Sequence, residues 1–436
     1  MKKIYDFSND ILDNYKRFNI DEVEVITSES INISVKSRNQ RLENIERSKN
    51  YNIGINIYKE KRKATITSNN IENADANEYL EKGSAMVKSM PIDEYSGLPH
   101  KDDYDYAPEV ENLELEDKIH LSDKELLEQA LLAEDSMLKN KKITNSEGST
   151  RSFSKNTYNT INSKGFNAKY TKTFHSISSI AIAGSDTNMQ RDYEYSAATH
   201  ASDLTSASKI GSSAAQRASS RLNSKKIKSC TLDVIFEPRV AKSILSSFCS
   251  CASGTSIARG TSFLNNQLNS PVFKESINIS NNPKLKRGVG SAPYDFSGVK
   301  TEDIPIVQNG ILKNYFLSIR SARQLKMAIN GNSSPSNLIL DKGESRIDDI
   351  TKSIKNGFLV TEMLGMSFNP LNGDYSRGAT GFKIDNGEIT YPISEVTIAG
   401  NLVEMLKNLI PANDLEINDN INSPSILVEG MTLAGL

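Results

Sequence analysis

The sequence predicts an α+β protein of two domains, rich in antiparallel sheet with helices laid over it. Three observations lead there. Apolar residues alternate at two-residue spacing in runs near both ends of the chain. Asn-Gly turns separate strand-like runs in the second half, and amphipathic helical stripes occur in both halves. A length of 436 residues accommodates two domains and at least one sizeable core.

The elements follow in order. Ile11, Leu12, Tyr15 and Phe18 mark an amphipathic first helix. Val23 and Val25, then Ile31, Ile33 and Val35, then Ile53, Ile55 and Ile57, then Ala64 and Ile66 predict a strand meander with one buried face. A helix from about Asn73 to Met90 covers that face. Pro91 to Asn112 reads as a loop, and Ser122-Asp-Lys-Glu125 as the capping box of a helix continuing through Leu126, Ala130 and Met137. The Ser/Thr/Asn-rich stretch from Ser146 to Tyr195 alternates like long antiparallel strands. Ser202 to Leu222 is a helix of small residues, suited to close approach of another element. The division falls between 1–205, an N-terminal α+β domain, and 206–436, a hairpin-rich C-terminal α+β domain.

In the second half, Leu232 to Phe236 is a strand ended by Pro238. A helix from Arg239 to about Ser253 follows, with Val240, Ile244 and Phe248 on its buried face. Ile306 to Leu312 is an Asn-Gly hairpin. A helix carries Ile347, Ile350 and Ile354, and a strand runs from Phe358 to Met363. Asp385-Asn386-Gly387 turns a second hairpin between Phe382, Ile384 and Ile389, Tyr391, Ile393. Leu402, Met405, Leu406 and Leu409 form a helical stripe, and Ser425 to Gly430 a last strand.

Composition excludes several functions. A net charge of −2 and no long basic run argue against a nucleic-acid surface. Met1-Lys2-Lys3 opens like a signal peptide, but Asp6, Asn9, Asp10 and Asp13 interrupt any apolar region. No 18-residue apolar run predicts a membrane span. Three cysteines, Cys230, Cys249 and Cys251, fit a reducing compartment better than a disulfide framework. The expectation is a cytoplasmic soluble protein.

Candidate chemistry is sparse. His100, His120, His175 and His200 have no partner at metal-ligand spacing, and Cys249 and Cys251 point about 200° apart on a helix, as small buried residues do. There is no G-x-S-x-G elbow and no phosphate loop; Lys286-Arg-Gly-Val-Gly-Ser291 lacks the lysine-serine ending. In the glycine-rich stretch Asn369 to Asn401, Tyr375 and Arg377 stand beside Gly378 and Gly381. Arginine suits a carboxylate or peptide carbonyl, although a structural ion pair is the commoner role.

That same stretch, with Pro424-Ser-Ile-Leu-Val-Glu-Gly-Met431, resembles the C-terminal signature of the TldD/PmbA family, in particular the PmbA (TldE) branch. Pro91 to Leu98, Gln190 to Ser196, Ala258 to Leu264 and Gln308 to Lys313 are similar to further family segments, so the resemblance covers most of the chain. Tyr294-Asp-Phe-Ser-Gly298 departs from it, because relatives tend to carry acidic residues before the glycine. The TldD-type subunit of this family carries H-E-x-x-x-H on the central helix and a late cysteine ligand. Here that helix reads Ile244-Leu-Ser-Ser-Phe-Cys-Ser-Cys-Ala-Ser253, and no cysteine follows Cys251. The resemblance therefore implies no catalytic residues and no metal in this chain, and zinc in a TldD-type metalloprotease partner. This chain would complete the chamber of a heterodimer that cleaves unfolded or short peptides, including leader peptides and small antitoxins. Tyr375, Arg377, Gly378 and Gly381 are the expected substrate-binding or subunit-contact residues, on a strand with an accessible edge. The alternatives are a non-enzymatic homodimeric peptide binder and a regulator of a DNA enzyme, the latter disfavoured by charge.

Overall fold

The computed structural model describes residues 2–70, 74–365 and 367–436. Helix α1 (Lys2–Asn14) leads into strands β1 (Glu22–Arg38), β2 (Arg41–Lys59) and β3 (Arg62–Ser68). Asn39, Gln40, Glu60 and Lys61 make the two turns with φ between 47° and 61°. Paired left-handed residues match the right-handed twist of the strands they join. Helix α2 (Ala76–Ser89) is capped by Asp75, whose side chain accepts from the Asn77 N–H; the expected start at Asn73 lies outside the described residues. Helix α3 (Asp123–Leu138) opens on the expected capping box, the Glu125 carboxylate accepting the Ser122 N–H at 2.7 Å.

Strands β4 (Ile143–Asn162), β5 (Asn167–Ala183) and β6 (Gln190–Ala198) complete a six-stranded antiparallel sheet in the order β3-β2-β1-β4-β5-β6. Helices α1 and α2 cover one face through Val23, Val25, Ile53, Ile55 and Ile57. Helix α4 (Ala207–Ser220) lies with α3 over β5 and β6. The sequence reading placed α4 in the second domain. Its buried side chains are Ala214, Ala215 and Ala218, which pack on Ala181, Ala183 and Met137 of the first. A Cβ at Gly211 would stand 1.8 Å from the Ala133 carbonyl oxygen, so the small-residue face is what lets the two helices meet.

The first half of β2, Arg41 to Asn50, is exposed. It pairs with β1 on one side, and β3 reaches only Ile53 to Lys59 on the other. With both faces wet it lacks apolar alternation, so the sequence reading began this strand at Ile53.

The second domain contains two sheets. Strand β7 (Cys230–Phe236) enters helix α5 (Pro238–Cys251), with proline at the first turn, and the short helix α6 (Gly254–Ala258). Strands β8 (Ile279–Asn281), β9 (Ile304–Gln308) and β10 (Ile311–Leu312), helix α7 (Ile319–Leu325) and strand β11 (Leu338–Leu340) follow. Helix α8 (Ile347–Ser353) precedes strands β12 (Asn356–Leu364), β13 (Asp374–Asp385) and β14 (Glu388–Asn401). Helix α9 (Leu402–Asn408), then strands β15 (Ile410–Pro411), β16 (Ile421–Asn422) and β17 (Ile426–Ala434), end the chain. The smaller sheet runs β10-β9-β8-β11-β16. The larger runs β14-β13-β12-β7-β17-β15, and β14 also pairs with β17 through Thr397–Ala399 and Thr432–Ala434. That pairing closes β14, β13, β12, β7 and β17 into a five-stranded ring, which removes free edges.

Ion pairs join the domains. Asp192 on β6 meets Arg221 Nε and Arg239 Nη1, each at 2.9 Å, and both Asp192 and Arg221 have side chains 3% exposed. Arg217 bridges Glu194 at 2.9 Å and Glu237 at 3.0 Å. Each charge faces an opposite one, which is the condition for burying such groups.

Candidate functional site

The four residues singled out from sequence lie together on β13, but not on an open edge. β13 pairs with β12 along one side and β14 along the other. The expectation of an accessible edge is therefore corrected: ring closure consumes both ladders. Tyr375 is buried, and its hydroxyl donates to Met363 Sδ at 3.2 Å. Arg377 reaches α5, donating from Nη1 to Ser243 Oγ at 3.0 Å, while its buried Nε has no hydrogen-bond partner. A Cβ at Gly381 would stand 1.9 Å from the Leu359 carbonyl oxygen, so this glycine serves strand packing. At Gly378 the nearest atom is Leu364 Cβ at 3.3 Å, on a side chain 60% exposed.

The accessible surface that the two domains share lies elsewhere, on the face of the N-terminal sheet turned away from its helices. Register pairs Ser28 with Tyr158, Ser30 with Asn156 and Ser34 with Ser152, all half-buried. Ser30 Oγ donates to Asn156 Oδ1 at 2.6 Å, and Ser152 Oγ to Ser34 Oγ at 3.0 Å. Alternation along each strand carries this face onto Tyr170 and Lys172 of β5 and Tyr195 of β6. The result is a wall mostly of hydroxyl, amide and phenol groups, in which the Lys172 ammonium is tied to the carbonyls of Val289 and Ser291.

Where the wall meets α5, a cleft of about 360 Å³ opens between the domains, lined by Tyr195, Lys209, Arg217, Lys242, Glu416 and their neighbours. Lys242 Nζ donates to Tyr195 Oη at 2.6 Å and pairs with Asp419. Burial works against the Lys242 ammonium, but its bonds to Asp419 and Tyr195 outweigh that and hold it above the usual lysine range. Burial likewise opposes the Asp419 anion, and Lys242 nonetheless keeps it below the usual carboxylate range. Burial raises the Tyr195 phenol. The three are thus fixed as ammonium, carboxylate and phenol, which bind and orient rather than exchange protons near neutral pH. Sequence reasoning missed this trio, because its members are scattered from position 195 to 419 with no motif. The only signal was β6, quoted as a family-like segment.

The remaining candidates are structural. His175 is fully buried, 3.2 Å from Asp117 and 3.3 Å from Arg151, and burial first, then Arg151, pushes it down to about 4. Cys249 and Cys251 are buried, and burial pushes the Cys251 thiol up to about 11. The α5 residue that Arg377 meets is a serine, Ser243, whose carbonyl accepts from Ser247 Oγ one turn on at 3.0 Å. Such groups do not make a zinc donor set. Among the described residues, no three His, Cys, Asp or Glu side chains converge on one point.

A six-stranded sheet with one open face, locked by buried ion pairs to a closed five-stranded ring, makes a two-domain α+β scaffold. Family models for PmbA/TldA metallopeptidases match in succession: domain 1 over residues 23–87, the central domain over 108–222 and the C-terminal domain over 229–435. The chain is 34% identical to the metalloprotease PmbA homolog of Haemophilus influenzae, over 94% of this chain and 92% of that one. It is 33% identical to metalloprotease PmbA of Escherichia coli O157:H7, over 95% and 92%. Crystal structures from Bacteroides thetaiotaomicron (TM-score 0.93, 24% identity, 100% of both chains) and of TldE from Thermococcus kodakarensis (TM-score 0.83, 20% identity, 98% of this chain and 100% of that one) share the fold. The chain belongs to the PmbA/TldD metallopeptidase family.

Proposed function

We propose that this chain is the PmbA/TldE-type subunit of a two-component zinc peptidase, and that it completes a chamber for unfolded or short peptides while a TldD-type partner carries the metal. The observation that carries the reading is the open face of the N-terminal sheet, rich in hydroxyl and amide groups. Hydroxyl and amide side chains there can hydrogen-bond any extended backbone, with little demand on its sequence. The serines of α5 support it from the other side, because hydroxyl groups are not the nitrogen and sulfur donors that zinc takes. A relative named as a TldD homolog, from Buchnera aphidicola, is 24% identical over 41% of this chain, which supports a partner of related fold.

Co-purification from native extract, without a histidine tag and followed by metal analysis, tests the reading. The expected result is a zinc-bearing partner, and peptide cleavage only when both chains are present. Stoichiometric zinc in the isolated chain, or a self-dimer with no zinc-bearing partner, overturns it. The self-dimer outcome would point to the peptide-sequestering alternative. Leader peptides and small antitoxins are the substrates to try first.

A further inference from the structure

The turn that departs from the family pattern, Tyr294 to Gly298, has a conspicuous geometry. Asp295 Oδ1 accepts the N–H groups of Ser297 at 2.8 Å and Val299 at 2.9 Å, and Gly298 takes φ +80° with its Cα against the Phe166 ring. Any side chain at 298 would strike that ring, the nearest ring carbon lying 2.6 Å from an ideal Cβ. Tyr294 anchors the other end, buried, with its hydroxyl donating to the Ala168 carbonyl at 3.0 Å. Between these anchors Phe296 is held out, 74% exposed.

Phe296 stands over the open sheet face and divides it. On one side lies a cavity of about 320 Å³, on the other one of about 620 Å³, and Ile26, Tyr158 and Phe296 line both. The smaller cavity has an aromatic wall, Tyr158 stacked on Tyr170 at 5.1 Å and Tyr170 edge-on to Tyr294 at 5.4 Å. Its opposite wall includes Ser333, Ser334 and Pro335. Its cation is already engaged, Lys172 Nζ donating to the carbonyls of Val289 at 2.6 Å and Ser291 at 2.9 Å. Its carboxylate, Asp295, is engaged by its own turn. With both charged groups tied to the backbone, the rings are what the cavity offers an incoming side chain, and they complement an apolar or aromatic group.

We infer that Phe296 is a specificity-determining residue: it forms, with Ile26, Tyr158 and Tyr170, a pocket that selects an uncharged apolar or aromatic side chain of an extended peptide lying on the N-terminal sheet. This rests on the chamber reading and names the side-chain class that the chamber prefers. The larger cavity, floored by Gly54 and rimmed by Thr65 and Thr67, is wider and more open to solvent, and it takes the adjoining residues without such selection.

The chain contains no tryptophan, so Phe296→Trp in the full-length protein places a single indole, excited apart from the tyrosines, at the pocket. Two capped five-residue peptides, identical except for Phe or Ala at the centre, serve as probes. The Phe peptide is expected to shift the emission saturably and to bind about tenfold or more tighter than the Ala peptide, as a filled apolar pocket discriminates. In unlabelled protein, Phe296→Ala is expected to weaken the Phe peptide by a similar factor in a fluorescence-anisotropy titration. It should leave the Ala peptide unchanged, with Phe296→Tyr restoring the preference. If both peptides bind alike and Phe296→Ala changes neither, the pocket assignment falls while the chamber reading stands. If neither binds, both fall. An emission shift that follows protein concentration without peptide makes Phe296 a contact between copies and overturns the assignment.

Discussion

Replacing Glu24 with glutamine is expected to make the protein more stable above neutral pH and to leave it unchanged in acid. Glu24 sits on the open face of β1, 3% exposed. Asn56 Nδ2 donates to one of its oxygens at 2.8 Å, while Oε1 has no hydrogen-bond partner. Burial first, and Asp295 in smaller part, raise its carboxyl from the ordinary 4.5 to about 7, against the pull of Asn56 and Lys63. A displacement of that size disfavours the folded anion by ~3 kcal/mol. The folded state therefore holds a proton that the unfolded state releases between pH 4.5 and about 7. The stabilisation is complete below 4.5, declines across that window and is gone above it. The amide of the Glu24→Gln variant would keep the neutral, hydrogen-bonding shape at every pH. The difference in stability between variant and parent should be near zero at pH 4.5 and grow to as much as ~3 kcal/mol by pH 8. Asp295, raised by burial to about 6, adds a slope of the same sign to both proteins, so only the difference between them is diagnostic. Thermal melting of both proteins at several pH values reads it, at roughly 2–4 °C per kcal/mol for a domain of this size. Parallel curves with a constant offset would refute the assignment of the slope to Glu24.

Three further outcomes are expected. Gly381→Ala should abolish soluble, folded protein, whereas Gly378→Ala should melt within a few degrees of the parent; equal behaviour in a solubility and melting comparison would contradict the 1.9 Å and 3.3 Å approaches at the two sites. Asp192→Ala leaves Arg221 and Arg239 without their shared carboxylate and should cost ~3–5 kcal/mol in denaturant unfolding, with the domains becoming more protease-sensitive; a loss under ~1 kcal/mol would show the pairs are dispensable. Cys249→Ala with Cys251→Ala should cost roughly 1–3 kcal/mol, and in the parent only Cys230 should react quickly with a thiol reagent; a folded double variant that has lost partner-dependent peptidase activity would show the cysteines to be functional.

What was legible in the sequence followed burial. Val23, Val25, Ile53, Ile55 and Ile57 alternate because one face of the sheet is covered, and the capping box at Ser122 is written in four consecutive residues. The exposed start of β2 was not legible, since a strand with two wet faces carries no period in its apolar residues. The site was less legible still. Tyr375 and Arg377 stood out by type, yet the burial of Tyr375 and the loss of an open edge depend on β12 and β14 flanking β13, which no local spacing encodes. Lys242, Tyr195 and Asp419 meet through the docking of one domain on the other, and no local spacing encodes that. Phe296 was noticed as a departure from a pattern, but its exposure depends on a distant ring, Phe166, and a carboxylate that folds its own turn.

The closed ring also sets an order of events in folding. Cys230, at the start of β7, pairs with Leu433, near the end of β17, and β17 in turn completes β14. During synthesis β7 thus gains β12 on one side but waits for its second neighbour, β17, until almost the whole second domain has emerged, while the N-terminal sheet already has all six strands. Such sequence-distant pairings are slow to form. Until they do, β7 and β14 present unpaired edges that invite association with other chains. The second domain is accordingly where chaperone demand and aggregation in overexpression should concentrate. Truncating β17 should trap the nascent chain with a folded first domain and an open second one, a state that pulse proteolysis would reveal as a resistant fragment ending near residue 222.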